Sequence, residues 1–197
     1  MIAFEKLDGS NIRIKYTAKR GFDLFGSRTQ LIDASSPHLG SVVSLFNAKY
    51  KDILEEILRK QFPKDREIIV YGEYLGPNSF AGLHTDPVDK MQFYLFDVLL
   101  VRQGYVEFLL PQEFVKFTEK LNGLVPTPRV IYEGNLTDEF IQRVRRNEFN
   151  IFEGVVCKGR EKTGASRGKV WMCKIKTEAY LQKLKDKYQG DWVRYWE

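Results

Sequence analysis

Short apolar segments bounded by turn residues run through much of the chain and predict β-strands. Residues 67–74, for example, are rich in β-branched and aromatic side chains, which favour strands. The predicted strands are residues 11–17, 21–25, 67–74, 92–101, 105–109, 153–158 and 169–176. The first two form a predicted hairpin, a second hairpin turns at Gln103-Gly104, and a polar loop at 159–168 joins the last two.

Apolar residues recur at helical spacing in four other segments. Thr137 and Thr177 precede two of them and are predicted N-caps, and Pro63 follows the longest. The predicted helices are residues 41–61, 111–121, 138–149 and 177–188. Strands between sequence-distant partners, with helices packed outside them, predict an α+β fold with antiparallel β-sheets flanked by helices.

Length and composition restrict the class of protein further. The chain has 197 residues, of which 43% are hydrophobic and 14% aromatic, enough for a packed core and too many for a disordered chain. No apolar run is long enough to cross a membrane, and the first residues do not have the pattern of a signal peptide. Cys157, Cys173, His38 and His84 fit no zinc spacing, so the two cysteines are interpreted as buried thiols in a reduced, cytoplasmic compartment.

Positive charge is concentrated in one part of the chain. The net charge is +5, yet residues 158–176 alone carry seven basic side chains against Glu161, which leaves −1 for the rest. This segment is either a solvated surface loop or a surface that faces phosphates. On the second interpretation, Arg160, Lys162 and Arg167 are candidate nucleic-acid-binding residues.

Lys6, in Glu5-Lys6-Leu7-Asp8-Gly9-Ser10-Asn11, is a candidate nucleophile, although a lysine before an Asp-Gly turn also fits a plain charged turn. A nucleophilic lysine must lose its proton, which nearby cations and partial burial favour. Lys174 and Lys176 are two residues apart and share one face of a predicted strand. They could both promote that proton loss and stabilise charge on a nucleotide α-phosphate.

Four further motifs follow in order: Tyr71-Gly72-Glu73, Phe93-Tyr94-Leu95-Phe96-Asp97, Glu153-Gly154-Val155-Val156-Cys157-Lys158 and Trp171-Met172-Cys173-Lys174-Ile175-Lys176. Together with the Lys6 motif, the set resembles the covalent nucleotidyltransferases, which include polynucleotide ligases and mRNA capping guanylyltransferases. The segment around Lys6 is most similar to the RNA ligase 2 branch, in which an asparagine follows the nucleophile by five residues.

The resemblance implies a ligase-type nucleotidyltransferase (adenylation) domain over residues 1–197. Residues 177–197 would form a C-terminal helix and an aromatic tail, with no separate C-terminal domain. The implied activity is that of an ATP-dependent RNA ligase with ATP and magnesium or manganese as cofactors. AMP would pass from a lysine to a 5′-phosphate end, and a 3′-hydroxyl would then seal an RNA strand or a nicked duplex. A minimal DNA nick ligase and a non-catalytic nucleic-acid-binding module of the same fold remain as alternatives.

The resemblance also implies a role for individual residues. At the phosphates, Lys6 would carry AMP, Lys174 and Lys176 would bind the α-phosphate, Asn11 would lie near it, and Lys158 would contact phosphate. At the nucleoside, Glu5 would meet the adenine through its backbone, Phe93 would stack on the adenine, and Glu73 would bind the ribose. Arg28 would contact the nucleotide or a 5′-phosphate, and Glu153 would help to place metal or the nucleophile. Glu153 and Lys158 are five residues apart and face opposite ways in a regular strand. Either the strand ends or bulges, or one of the two leaves the site.

Overall fold

The computed structural model describes residues 1–76, 78–79, 91–162 and 170–195, the last two ranges with side chains as far as 161 and 193. The chain divides into two compact units. Unit 1 comprises Met1–Asp8, Pro128–Glu161 and Val170–Glu197, and unit 2 comprises Gly9–Thr127 and Lys162–Lys169. Each unit contains one sheet, and the antiparallel pairing confirms the predicted α+β class. The assignment of residues 1–197 to a single domain stays a prediction.

Unit 2 contains a six-stranded sheet with the order β4-β3-β2-β5-β6-β7. Its strands are β2 (Ser10–Thr17), β3 (Gly21–Gly26), β4 (Leu31–Ile32), β5 (Glu67–Leu75), β6 (Gln92–Arg102) and β7 (Tyr105–Phe108). Both predicted hairpins and the predicted strand β5 are confirmed. Gly104 has a φ of +84° in the second hairpin turn, a conformation that favours glycine. Strand β4 has only two residues, too few for an alternation that the sequence could reveal.

Among the described residues of unit 2, the helices are α1 (Gly40–Lys49), α2 (Lys51–Gln61) and α3 (Pro111–Glu119). The single helix predicted for residues 41–61 is therefore wrong, because Tyr50 leaves the helical conformation with a φ of −121°. The Tyr50 ring is buried near Phe46 and Phe93. A one-residue break of this kind leaves the apolar stripe in phase, so hydrophobic periodicity cannot detect it.

The two faces of the unit 2 sheet differ in burial. Residues of β5 alternate between buried and half-buried positions along the strand. Phe93 lies on the buried face, where its ring meets the Phe46 ring of α1 at a centroid distance of 5.3 Å. Glu73 lies on the half-buried face, and Asn11 of β2 is its direct cross-strand partner. This second face is therefore the one on which unit 2 presents polar groups.

Unit 1 contains a four-stranded sheet with the order β10-β9-β1-β8. Its strands are β1 (Ile2–Lys6), β8 (Val130–Glu133), β9 (Gly154–Lys162) and β10 (Val170–Lys176). The predicted strands β9 and β10 are confirmed, but β9 extends to residue 162, so residues 159–162 of the predicted loop belong to the strand. Residues 163–168 of that loop lie outside the described residues. Strands β1 and β8 are too short and too mixed in polarity to stand out in the sequence.

Helix α4 (Asp138–Arg145) covers one face of this sheet, where Phe140 and Val144 join a buried cluster with Val155 and Cys157. Thr137 is the N-cap, as predicted, because its side chain accepts a hydrogen bond from the backbone N–H of Phe140. The helix ends before the predicted residue 149. The reason is a turn at Asn147, whose φ is +59° and whose side chain accepts from the N–H of Ile151.

Helix α5 (Glu178–Tyr188) follows β10 and leads into a 3-10 helix (Gln189–Tyr195). The predicted cap is again present, because the Thr177 side chain accepts from the N–H of Tyr180. In the aromatic tail, the Lys185 ammonium lies 4.9 Å from the centre of the Trp192 ring. Trp196 lies outside the described residues. None of the described helices is long and apolar enough to cross a membrane.

Candidate active site

Three charged side chains of unit 1 form one hydrogen-bonded cluster. Lys6, the last residue of β1, donates from Nζ to Glu153 Oε2 at 2.8 Å. Lys176, the last residue of β10, lies with its Nζ 3.2 Å from the other carboxylate oxygen, Oε1. The side chains of Glu153 and Lys176 are only 3% and 6% exposed, and that of Lys6 is 16% exposed. Residues 147 positions apart in the sequence thus meet around one buried carboxylate.

Glycine at position 154 explains how Glu153 reaches this cluster. Strand β9 begins at Gly154, so Glu153 lies before the regular alternation of the strand. The conflict expected from the odd spacing of Glu153 and Lys158 therefore does not arise. Gly154 has a φ of +150°, and a Cβ there would lie 2.0 Å from the carbonyl oxygen of Ile175. Only glycine fits this close approach to the backbone of β10.

Burial changes the proton affinities of the cluster. Desolvation raises the pKa of Glu153 above its ordinary value, and the nearby Lys6 and Lys176 ammoniums oppose that shift. Desolvation likewise lowers the pKa of Lys176, while its partner Glu153 acts in the opposite direction. Both shifts favour the uncharged forms. The proton affinities of Glu153 and Lys176 are therefore closer to each other than those of ordinary glutamate and lysine side chains.

Asp8 and Tyr180 belong to the same part of unit 1 and were not among the residues assigned a role from the sequence. The Tyr180 hydroxyl donates to Asp8 Oδ1 at 2.9 Å, and both side chains are buried. The Lys176 Nζ lies 5.1 Å from the centre of the Tyr180 ring. Asp8 could have been noticed as part of the Lys6-Leu7-Asp8-Gly9 motif, whereas nothing in the sequence pattern distinguishes Tyr180 from a core tyrosine.

Two predicted phosphate-binding lysines are not in the cluster. Lys158 shares the sheet face of Lys6, but it pairs with Ile2, whereas Lys6 pairs with Gly154, about 13 Å along the strand. The Lys158 side chain is buried, and its Nζ lies 5.3 Å from the centre of the Phe4 ring. Lys174 is exposed. Of the two lysines predicted to act together, only Lys176 therefore meets Glu153.

Glu5 also lies in unit 1, in the strand that carries Lys6. Its backbone N–H donates to the carbonyl oxygen of Arg129 at 2.9 Å, and its carboxylate pairs with the Arg129 guanidinium at 2.7 Å. The predicted adenine contact through the Glu5 backbone stays a prediction. The side chain is held by Arg129, a residue that the sequence did not single out.

Unit 2 carries the predicted ribose-binding residue. Glu73 Oε1 accepts a hydrogen bond from the backbone N–H of Gly9 at 3.1 Å, which orients the carboxylate, and Asn11 lies directly opposite on β2. Arg28 is exposed in the turn between β3 and β4, where the Ser27 N–H donates to the carbonyl oxygen of Gln30 at 2.8 Å. Glu73 and Asn11 are thus cross-strand neighbours, and their roles stay predictions.

The assignment of Phe93 as the adenine-stacking residue needs correction. Phe93 is fully buried on the opposite sheet face from Glu73, and its ring occupies the space beside Gly72, where a Cβ would lie 2.1 Å from it. Phe96 is half-buried instead, and the centres of its ring and the Tyr71 ring are 6.4 Å apart. Tyr71 lies on the same face of β5 as Glu73. Their three-residue spacing predicts opposite faces of the strand, but the sequence did not show which of the two faces is covered by helix α1.

The candidate nucleic-acid-binding residues are described only in part. Arg160 of β9 is exposed and forms an ion pair with Glu133 of β8. Lys162 ends the strand, and its side chain is not described. Arg167 lies outside the described residues.

Comparison with known proteins assigns the family. The family model for RNA ligase matches residues 1–175. The chain belongs to the RNA ligase family. This membership confirms the resemblance inferred from the Lys6 motif and the four motifs that follow it. No curated protein sequence matches the chain.

Solved structures of an RNA ligase from Naegleria gruberi share the fold. Each of three mutant forms is 23% identical to this family member over 94% of its length: one without ligand (TM-score 0.64), one with ATP and manganese (0.65) and one with AMP and manganese (0.65). The matched region is 51% of the chain in the first two and 52% in the third. The chain therefore spans about half the length of that ligase.

Glu153 does not suit a metal ion in the state that the structure describes. Each of its oxygens faces a lysine ammonium, which occupies the positions that a cation would take. Among residues 1–76, 78–79, 91–162 and 170–195, no three histidine, cysteine or acidic side chains are grouped so that they could hold a metal.

Proposed function

We propose that this protein is an ATP-dependent RNA ligase that forms a covalent lysine–AMP intermediate at Lys6. The observation that carries the proposal is the Lys6–Glu153–Lys176 cluster in unit 1. It places an amine beside a buried carboxylate that can accept its proton and beside a second cation that can face a phosphate. Membership in the RNA ligase family and the ligands of the Naegleria gruberi structures support ATP as the nucleotide.

In the first step, Lys6 Nζ attacks the α-phosphorus of ATP. A phosphorus–nitrogen bond forms, the bond from the α-phosphorus to the bridging oxygen breaks, and pyrophosphate leaves. The proton that Lys6 must lose has Glu153 Oε2 as an acceptor at 2.8 Å. Burial, which raises the pKa of Glu153, makes this carboxylate a better acceptor than an exposed glutamate. Lys176 would then stabilise the charge on the α-phosphate.

Residues of unit 2 are proposed to bind the nucleoside part of ATP. Glu73 would accept hydrogen bonds from the ribose hydroxyls, since a carboxylate is an acceptor-only group. Phe96 replaces Phe93 as the proposed stacking partner of the adenine, because it shares the Glu73 face and is partly exposed. Asn11, opposite Glu73, keeps its proposed place near the α-phosphate.

The later steps would transfer AMP to a 5′-phosphate end of RNA and let a 3′-hydroxyl displace it. Arg28 and Lys158 are proposed to contact phosphates in these steps, with Lys174 as an exposed second cation on the face of β10 that carries Lys176. Arg160, Lys162 and Arg167 are proposed to bind the nucleic-acid backbone. Such contacts release counterions, so sealing should weaken with salt more steeply than Lys6 charging.

Incubation with ATP labelled at the α-phosphate, followed by denaturing electrophoresis, tests the first step. The unmodified protein should retain label, and Lys6→Arg should retain none, because arginine keeps the charge beside Glu153 but cannot act as the nucleophile. Lys15→Arg is the matched control, since Lys15 is also a strand lysine near a glutamate, Glu67, at 3.8 Å. Label on the Lys6→Arg protein, or none on the unmodified protein, would contradict the proposal.

A second assay separates RNA ligase activity from the alternatives. Lys6→Ala should still seal a pre-adenylated nick, because the last step needs no lysine nucleophile. Nicks with RNA or DNA at the 3′-hydroxyl side compare the two ligase classes directly. Faster sealing of DNA would favour a nick ligase, and binding without sealing or labelling would favour a non-catalytic module.

A further inference from the structure

A buried tyrosine on helix α5 is hydrogen-bonded to the motif that carries Lys6. The Tyr180 hydroxyl donates to Asp8 Oδ1 at 2.9 Å, although the two residues are 172 positions apart. Tyr180 is 3% exposed and Asp8 is 8% exposed, so water competes little for this bond. Asp8 follows Lys6 by two residues, just beyond the end of β1. The bond therefore anchors the chain where it leaves the strand that presents the nucleophile.

The start of α5 is also tied to the backbone around Glu153. The Thr177 side chain donates to the carbonyl oxygen of Phe152 at 3.1 Å, and the Thr177 N–H donates to the carbonyl oxygen of Glu153 at 2.9 Å. Thr177 in turn accepts from the N–H of Tyr180. These bonds fix the position of the Tyr180 ring relative to the backbone of Glu153. The bond from the Tyr180 hydroxyl then fixes the position of Asp8 relative to the ring.

Asp8 is a second carboxylate near Lys176. It is close enough to favour the Lys176 ammonium, as Glu153 also does. An Asp8 carboxylate that did not accept from the Tyr180 hydroxyl would compete more strongly with Glu153 for this ammonium. The hydroxyl donates to Asp8, and the Lys176 ammonium lies over the Tyr180 ring and 3.2 Å from Glu153 Oε1.

We propose that Tyr180 is a positioning residue for AMP transfer to Lys6: its hydroxyl holds Asp8 so that Lys6 and Lys176 remain together on Glu153. The match to the family model ends at residue 175, so Tyr180 lies beyond the matched region. The inference rests on the proposed charging of Lys6. It adds a contribution of helix α5 to that step.

Tyr180→Phe removes the hydroxyl and keeps the ring under Lys176. A hydrogen bond to a charged group is strong enough that its loss should slow Lys6–AMP formation at saturating ATP by about tenfold to a hundredfold. The ATP concentration for half-maximal rate should change by less than about threefold, because the hydroxyl donates to Asp8, which is not among the groups proposed to bind ribose or adenine. A purely structural defect would not separate these two quantities in this way.

Single-turnover labelling of the full chain with ATP measures both quantities. Tyr132→Phe is the matched control, since it removes a hydroxyl in the same unit from a ring that stacks on Phe140, 4.3 Å away. In an Asp8→Asn background, Tyr180→Phe should slow labelling by less than about threefold, because the charged acceptor is gone. Equal rates for Tyr180→Phe and the unmodified protein, or the same loss in both backgrounds, would overturn the inference.

If the unmodified protein takes no label, the proposed function is contradicted, and labelling can no longer test the role of Tyr180. A measurement without ATP tests that role separately. Acetylation of Lys6 by an N-hydroxysuccinimide ester can be followed by peptide mass spectrometry. In Tyr180→Phe, Lys176 is drawn towards Asp8 and the Lys6 amine remains the main hydrogen-bond donor to Glu153, so Lys6 should be acetylated several-fold more slowly. An unchanged Lys6 acetylation rate would refute the positioning role.

Discussion

Replacing Glu153 by glutamine removes the negative charge that two lysines share and leaves the side-chain shape unchanged. Glu153 and Lys176 are almost fully buried, so water cannot take over the role of the carboxylate. Breaking a buried ion pair by removing one partner typically costs about 3–5 kcal/mol of folding free energy. For a protein of this size, each kcal/mol lowers Tm by about 2–4 °C. We therefore expect Glu153→Gln to unfold roughly 6–20 °C below the unmodified protein.

The pH dependence of this loss is a second signature. Burial lowers the pKa of Lys176, and Glu153 opposes the shift, so removal of Glu153 should lower that pKa further. The folded variant then binds fewer protons than its unfolded chain between this lowered pKa and the ordinary lysine value of about 10.4, and its stability rises with pH across that window. The stability difference between variant and unmodified protein should accordingly shrink between pH 7 and pH 9.

Glu56→Gln is the matched control for the same chemical change. Glu56 pairs with Lys60 at 2.6 Å, but both side chains are about two-thirds exposed, so its loss should change stability far less than the loss of Glu153. Thermal unfolding followed by circular dichroism, with urea titrations at pH 7 and pH 9, measures all three proteins. The reasoning is refuted if Glu153→Gln loses no more stability than Glu56→Gln, or if its loss does not change with pH.

Three further predictions test the site and its surroundings. Phe93→Ala should lose about 3–5 kcal/mol of stability in urea titrations, whereas Phe96→Ala should lose less and raise the ATP concentration needed for labelling; equal stability losses would contradict the correction. Burial raises the pKa of Cys157 to about 12, so iodoacetamide at pH 8 should modify Cys173 well before Cys157, as peptide mass spectrometry can show. Gly154→Ala should unfold at a markedly lower temperature and lose Lys6 labelling, because its Cβ would lie 2.0 Å from a β10 carbonyl oxygen; a native melting curve would count against it.

Local elements were largely predictable from the sequence. The β2–β3 and β6–β7 hairpins, the strand β5 and the caps Thr137 and Thr177 depend on residues close together in the chain, and the structure contains all of them. The Lys6 motif and the order of the motifs after it were sufficient to recognise the family, because motif spacing is a property of the chain alone.

Tertiary structure decided which of these residues meet. Burial separates Lys176, which joins Lys6 on Glu153, from the exposed Lys174, although strand alternation places both lysines on one face. Packing of α1 against one sheet face places Phe93 in the core and leaves Phe96 on the face of Glu73. An in-phase break at Tyr50 divides one expected helix into two. The bond between Tyr180 and Asp8 joins residues 172 positions apart. Periodicity records which positions along a segment are apolar, but long-range contacts depend on strand pairing and register, which become defined only when distant segments pack together.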